Sequence, residues 1–400
     1  MEETVLQPSE PAPNGQAKSA QNPASASSAA FDALEKKLLY PEGINQKFDQ
    51  YSDVIRTVSA AEKIFFAQNL GVMLKSGLSA SRSFRTLALQ SQNPKFQRAM
   101  IRITRAVEKG DPIAAALEQF PKIFSPIFVN MVRAGEKAGQ LEQVLQELTS
   151  QLKRSNELRQ KVRGAMMYPT AVLIAMVLIG SGMIIFVIPK LLAIFEEVDA
   201  ELPLPTRILI LVSDTINEYI LFVGPLAVLG AVALTYLVRR GPLKGPWHGL
   251  LLKLPVIAAI AVKINLAKIA RTLSSLLATD MPIVDSFRLT AGVVGNVHYQ
   301  ASLLRIGAAV EKGETVASAM ARYAKLYPPI AQQMVQVGEE TGAVDEILGQ
   351  LAQFYEEDVS QTMESLPTII EPILILVLGG AVGAMAVSVI MPMFSLANAV

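Results

Sequence analysis

Glu136 and Glu339 each stand between two glycines, in Gly135-Glu136-Lys137-Ala138-Gly139 and Gly338-Glu339-Glu340-Thr341-Gly342. A carboxylate held in a tight turn is a candidate general acid or base, and that chemistry needs a second titratable group within reach. The sequence offers little to complete such a pair. It has no cysteine, which removes thiolate nucleophiles, thiolate metal sites and disulfides. Its two histidines, His248 and His298, lie far apart in sequence and read as loop or surface residues rather than metal ligands. No Walker A or dinucleotide-binding glycine loop is present. The two Gly-Glu-x-x-Gly segments therefore read as tight turns between helices, each Glu near a helix N-terminus where its charge is favoured. No catalytic residue, cofactor or metal is expected.

These motifs belong to a longer duplication. Glu108–Gly139 recurs at Glu311–Gly342, 203 residues later, with 13 of 32 positions identical and no gap. The same offset pairs Leu70 with Leu273, Phe84 with Phe287, Leu148 with Leu351 and Pro169 with Pro372. A repeat of this length must be read before any local feature. Each copy ends in a long apolar run, so the plan is a helical domain followed by a span, used twice.

Hydrophobic residues make up 51% of the 400 residues and charged residues 18%, with mean hydropathy +0.36. The net charge of +1 gives no electrostatic reason to expect nucleic acid as a partner. Three uncharged segments, 168–189, 219–238 and 372–394, are long enough to cross a bilayer. The odd number follows from the repeat. Similar domains belong on one side, so the unpaired middle segment must be a return crossing. Lys153, Arg154, Arg159, Lys161 and Arg163 precede the first span, and Arg239, Arg240 and Lys244 follow the second, whereas loop 190–218 holds six acidic residues and only Lys190 and Arg207. The positive-inside rule then places both large domains in the cytoplasm and already accounts for the basic cluster, the alternative being that the cluster contacts lipid head groups or a partner. The flank of the third span (Glu356, Glu357, Asp358, Glu364, Glu371) is acidic and gives no such signal. Gly379 and Gly383 have the small-residue spacing that lets membrane helices approach, within one chain or between copies.

The fold class expected is all-α. Two repeated cytoplasmic helical bundles, 41–166 and 239–371, each lead into a transmembrane helix (167–189 and 372–394). A return helix spans 219–238, an external acidic loop 190–218, and an external tail 395–400. Residues 1–40 have too little apolar surface to offset their ordering entropy and read as a disordered tail. Within the repeats, Phe66, Leu70, Met73 and Leu74 form one apolar helix face, as do Ile269, Leu273, Leu276 and Leu277. Turns are expected at Gly77 and Asp280, and a helix end at Gly110. Asp111 is expected to cap a helix with Pro112 at its first position, Thr315 to cap its counterpart, and Ser125-Pro126 to open the next helix. After Gly139, Leu141, Val144, Leu145, Leu148 and Leu152 mark a long helix heading for the membrane.

The chain resembles the type II secretion F / type IV pilus inner-membrane platform family over about residues 60–398. The duplicated domain, the order of three spans and the two Gly-Glu-x-x-Gly motifs carry the likeness. So does a signature at the first span: Lys161-Val162, Ala165-Met166 and Tyr168-Pro169, closing with Val187-Ile188-Pro189. Two positions depart from the pattern, Met176, where members usually have a small residue, and Glu371-Pro372 in place of Tyr168-Pro169. The resemblance implies a non-enzymatic homo-oligomer in the cytoplasmic membrane. Its implied partners are a hexameric assembly ATPase on the cytoplasmic side, pilins or pseudopilins in the membrane, and other inner-membrane assembly proteins. It leaves open whether the machine builds a pilus or secretes protein. A small membrane transporter is a more distant alternative, because transporters carry ionisable or broken-helix sites at mid-membrane and these spans have no charge.

Overall fold

The computed structural model describes residues 23–39, 57–187, 229–230, 232–238, 241, 244–253 and 255–397. Among them every regular element is a helix, so the protein is all-α. They form two compact units, the first ending at Ile123 and the second beginning at Phe124. This division does not follow the expected domain 41–166. The last two helices of the first repeat pack within the second unit.

The first unit holds α1 (Pro23–Leu39), α2 (Ala60–Lys75), α3 (Ala80–Gln90), α4 (Pro94–Glu108) and α5 (Ile113–Glu118). Ser59 and Glu62 start α2 with a capping box: the Ser59 hydroxyl accepts from the Glu62 amide at 3.1 Å, and Glu62 accepts from the Ser59 amide at 2.7 Å. Gly77 (φ 81°) and Gly110 (φ 93°) end α2 and α4 in the left-handed region. Gly110 lies in a two-bond helix stop in which the Gly110 amide donates to Val107 and the Asp111 amide to Ala106. That engagement changes the expected start of α5. Asp111 belongs to the end of α4, and Pro112 itself is the cap of α5, extended at φ −57°, ψ 142°. Phe66 centres the core, 5.9 Å from the Phe84 ring and 5.7 Å edge-on from Phe96.

Residues 23–39 correct the expectation of a disordered tail. They form α1, which docks on α3 and α4 through the fully buried Phe31. The Arg85 and Arg105 guanidinium groups lie over its ring at 5.1 and 5.5 Å. Arg105 also pairs with Glu35, Asp32 and Glu108. Residues 1–22 and 40 lie outside the described residues.

The second unit begins with α6 (Pro126–Ala138), α7 (Leu141–Ala165) and α8 (Met167–Gly182), the last followed by a π-helical turn, Met183–Val187. Ser125 caps α6, accepting from the Phe128 amide at 3.3 Å. Helix α7 breaks for one residue at Met166. Pro169 has no amide to bond Ala165 and would press on its carbonyl, so the break falls there. Next come α9 (Lys244–Leu251), α10 (Pro255–Leu277), α11 (Ile283–Val293), α12 (Val297–Val310), α13 (Val316–Ala321), α14 (Pro329–Thr341) and α15 (Val344–Ala397). Thr315 caps α13, as expected. The turn after α10 is made by Asp280, a non-glycine residue at φ 56°, which an Asp tolerates better than most.

Helix α10 packs along α15, and α11 to α14 complete the bundle; α6 lies on α11, α7 on α10 and α15, and α9 on α12. Tyr299 and Tyr327 sit in this core, edge-on at 5.7 Å. The Tyr299 hydroxyl donates to the Leu326 carbonyl at 2.7 Å, and the Tyr327 hydroxyl pairs with Ser302 at 2.8 Å.

Two described helices, α7–α8 through Gly182 and α15, are long and apolar enough to cross a membrane. A core helix of a soluble domain would be buried; Leu173, Ile174, Val177, Leu178 and Ile179 are instead about half to two-thirds exposed. At 1.5 Å per residue the 54 residues of α15 run roughly 80 Å, far more than one bilayer core, so this helix also belongs to the polar bundle. Of the expected middle span, 229–230 and 232–238 are helical, and 219–228 and 231 lie outside the described residues, as do Ile188, Pro189 and loop 190–218.

Candidate functional site

In both repeats the Gly-Glu-x-x-Gly motif forms the last turn of a helix and the residue after it. Gly139 (φ 69°) and Gly342 (φ 73°) end α6 and α14 in the left-handed conformation that glycine reaches without a Cβ penalty. The amides of Gln140 and Ala343 then donate back to the carbonyls of Gly135 and Gly338, at 2.8 and 3.0 Å. The first glycine has a different reason. A methyl group on Gly338 would stand 3.1 Å from Val344 Cα and 3.2 Å from Ile347 Cβ. One on Gly135 would stand 2.7 Å from Val144 Cγ2. The motif thus turns the chain at its second glycine and lets the following helix lie against the bare backbone of its first.

The glutamate between them reaches a third helix. One Glu339 oxygen accepts from the Val316 amide at 2.5 Å and the other from the Ala317 amide at 2.9 Å. Thr315 accepts from Ser318 at 3.3 Å. The first three amides of α13 are therefore all bonded, two by a carboxylate whose charge suits a helix N-terminus and the third by the Thr315 hydroxyl. The glutamate caps α13, and not the helix that follows its own turn. Glu136 occupies the matching place in the last turn of α6.

A second polar constellation joins three helices of the second unit where α7 and α15 head for their apolar segments. Glu356 of α15 takes Arg271 of α10 as a bidentate partner, at 3.0 and 2.7 Å, with Arg154 of α7 at 3.8 Å. Asp358 accepts from Lys263 of α10 at 2.7 Å, and the same ammonium reaches Thr362 at 3.1 Å. Lys161 of α7 donates to Ser360 of α15 at 2.5 Å, and Ser275 of α10 to Glu147 of α7 at 2.7 Å. Beneath these bonds Val359, Met363 and Leu366 of α15 form an apolar seam with Leu158, Val162 and Ala165 of α7. The acidic flank that carried no topological signal is thus in part the counter-charge of α7 and α10.

The other residues singled out by sequence are more scattered. Tyr168 is half exposed and Pro169 buried at the start of α8. Glu371 and Pro372 lie within the unbroken α15, on its exposed side. Gly379 and Gly383 also lie in α15, and a Cβ on either would meet no atom within 4 Å. Pro189 is outside the described residues. The two histidines lie near each other: His298 is exposed, as expected, while His248 is half-buried in α9. His248 Nδ1 of α9 accepts from the Val297 amide at 3.3 Å, and His298 Nε2 lies against Gly249. Burial, with Lys244 and His298 nearby, holds His248 below the usual histidine range. No group of three metal-ligating side chains occurs among the described residues.

Sequence reasoning missed Arg271, Lys263, Ser275 and Glu147 as joint-forming residues. Their repeat equivalents Gln68, Ala60, Val72 and Gln350 are all uncharged, so no repeated charge pattern marks them.

Comparison with known proteins returns the same duplication. The family model for type II secretion system (T2SS) protein F matches twice, at residues 66–189 and 269–392, with both ends 203 residues apart. The chain is 30% identical to the type IV pilus assembly protein PilC of Myxococcus xanthus over 86% of this chain and 82% of that one. It is 35% identical to the PilC of Thermus thermophilus, over 83% of this chain and 81% of that one. It is 26% identical to the type II secretion system protein F of Pseudomonas aeruginosa, over 85% and 84%. With two matched domains at the spacing of its own internal repeat, and relatives aligned along most of their length, the chain belongs to the type II secretion system protein F family.

Proposed function

We propose that this protein is the inner-membrane platform of a type IV pilus-like machine, coupling a cytoplasmic assembly ATPase to the insertion of pilin subunits into a filament. The observation that carries this reading is the three-helix joint. Helices α7 and α15 each run from a packed bundle into an apolar segment, and ion pairs and an apolar seam bind them to each other and to α10. The unbroken α15 transmits a rigid-body displacement from bundle to membrane, and α7 passes it to α8 across the one-residue break at Met166. The role is mechanical: both oxygens of Glu339 are occupied in capping α13, which is structural work. Pilus-named relatives align at 30–35% identity and secretion-named ones at 26–29%, a small difference that leans towards a filament.

In this reading both bundles face the cytoplasm, residues 190–218 lie outside, and 219–238 return the chain. Gly379 and Gly383, open in the single chain, suit close approach by a helix of another copy. Filaments should be counted by electron microscopy in a deletion strain, with secreted proteins assayed in parallel. Loss of filaments with secretion intact supports the pilus role; loss of secretion alone moves the protein to the secretion branch. A glycine pair at Gln353 and Phe354, both exposed in α15, should abolish filaments at normal protein level. Normal filaments from that variant would reject the strut.

A further inference from the structure

A cavity of about 480 Å³ in the second unit has a composition that neither bundle packing nor membrane topology explains. Its lining includes the apolar side chains of Phe128, Val162, Met166 and Ile264, and it holds four cations, Arg159, Arg163, Lys268 and Arg271, against one carboxylate, Glu356. Arg271 and Glu356 satisfy each other. Arg159, Arg163 and Lys268 form no salt bridge among the described residues. The positive-inside rule accounts for the two arginines of α7, but not for Lys268, which comes from α10 in the other repeat. The first repeat has Phe65 at that position, so the fold does not require a lysine there.

Lys268 is costly where it stands. Its ammonium is largely buried and spends one of its three donors on the Val293 carbonyl, at 2.6 Å, at the end of α11. Burial holds it below the usual lysine range, and Arg159 pushes it the same way. An uncompensated cation beside a like charge is retained where an anion completes it. The cavity also has a direction. Met166, on its lining, is the one-residue break between α7 and the apolar α8. Cations therefore lie beside an apolar surface that continues onto a membrane helix.

We propose that this cavity binds an anionic phospholipid of the adjoining leaflet, its phosphate between Arg159, Arg163 and Lys268 and its upper acyl chain along Val162, Met166 and Ile264. Basic pockets beside membrane helices take such head groups, and an apolar wall with a few convergent charges selects an amphiphile over a free anion. The inference rests on the insertion of α8 in the membrane and not on the identity of the machine.

The test uses the full chain in detergent, with native mass spectrometry and thermal melting. The probes are dioleoyl phosphatidylglycerol, dioleoyl phosphatidylcholine and glycerol 1-phosphate. Phosphatidylglycerol should be retained and raise the melting temperature, and the other two should do neither. Arg159→Gln with Lys268→Met should weaken retention about tenfold or more, the effect of losing charged contacts to one phosphate, while Arg305→Gln on α12 leaves it unchanged. If the Lys268 variant does not fold, Arg159→Gln with Arg163→Gln, both exposed, serves the same comparison. Equal retention of phosphatidylcholine, or undiminished phosphatidylglycerol in the variants, overturns the site. Competition by glycerol 1-phosphate at equal concentration overturns the lipid as its occupant. Release of the chain from native membranes by carbonate would remove the premise, independently of any filament phenotype.

Discussion

Removing the Glu339 carboxylate should open α13 without dissolving the bundle around it. In the native chain its two oxygens hold the first two amides of a six-residue helix, at 2.5 and 2.9 Å. So short a helix has no independent stability, so its docking and its cap decide whether it forms. Hydrogen bonds to a charged group contribute about 1.5–3 kcal/mol each, and a cap substitution alone costs ~1 kcal/mol. Since Thr315 still holds Ser318, Glu339→Ala should cost about 3 kcal/mol locally, and Glu339→Gln, which keeps an acceptor, roughly half that. Amide hydrogen exchange reads this directly. A loss of about 3 kcal/mol speeds exchange at Val316 and Ala317 by roughly 100-fold, as long as global unfolding is slower. Glu340, exposed and with its side chain bonded among the described residues to Gln336 alone, is the control: Glu340→Ala should leave α13 protected. If Glu339→Ala exchanges like the native chain, or if α12 and α14 open equally, the glutamate is not the cap of α13 and the reasoning fails.

Three further outcomes follow from the same geometry. Gly135→Ala should destabilise by about 1–3 kcal/mol through its 2.7 Å approach to Val144 Cγ2, and adding Val144→Ala should recover part of that loss; additive losses in denaturant melts would show that the two do not meet. Tyr355 keeps a buried hydroxyl with no partner among the described residues and is pushed up to about 12, mainly by burial, so Tyr355→Phe should hold or raise stability by about 1 kcal/mol, and a clear loss in melting temperature would reveal a hidden partner. His248 is lowered on folding, so the unfolded chain binds more protons below its ordinary value near 6.5, and its contribution is full above that pH and declines as pH falls towards the folded value. The emission of Trp247, the only tryptophan, should report α9 leaving α12 in that window, and a pH-independent signal would sink the idea.

Much of the fold was legible because its signals are local or repeated. The duplication, the ends at Gly77, Gly110 and Asp280, and the caps at Ser125 and Thr315 all rest on residues within a few positions of their partners. What escaped lies at long range. The α1 segment looks disordered by composition, yet one aromatic residue and pairing 70 residues away in sequence, between Glu35 and Arg105, fix it in place. Pro112 was misread because Asp111 is claimed by the helix before it. The glutamate of the second motif finds its amides 22 and 23 residues back, and His248 meets Val297 49 residues on. The acidic flank of the third span had meaning only once α7 and α10 were set beside it.

The joint also shows where a platform would yield. Helix α15 is tied to α10 of its own repeat by the bidentate Arg271–Glu356 pair and by Lys263–Asp358, both largely screened from solvent. Breaking one partner of such a pair costs ~3 kcal/mol. Between α7 and α15 the charge link is Arg154–Glu356, at 3.8 Å with the arginine 44% exposed, which contributes no more than about 0.5 kcal/mol. Apart from Lys161–Ser360, that contact is the apolar seam along Val359, Met363 and Leu366, which tolerates sliding better than paired charges do. Movement between the two membrane-bound struts should therefore occur between α7 and α15, with α10 and α15 moving as one. Because the chain has no cysteine, Lys161→Cys with Ser360→Cys can be bridged by a short bismaleimide without background. Bridged protein should stop filament growth, whereas each single-cysteine variant treated with the same reagent should still support it, and a bridge between Lys263→Cys and Asp358→Cys should cost little beyond the lost ion pair. Filament growth at the native rate across the first bridge would show that the two struts do not move against each other.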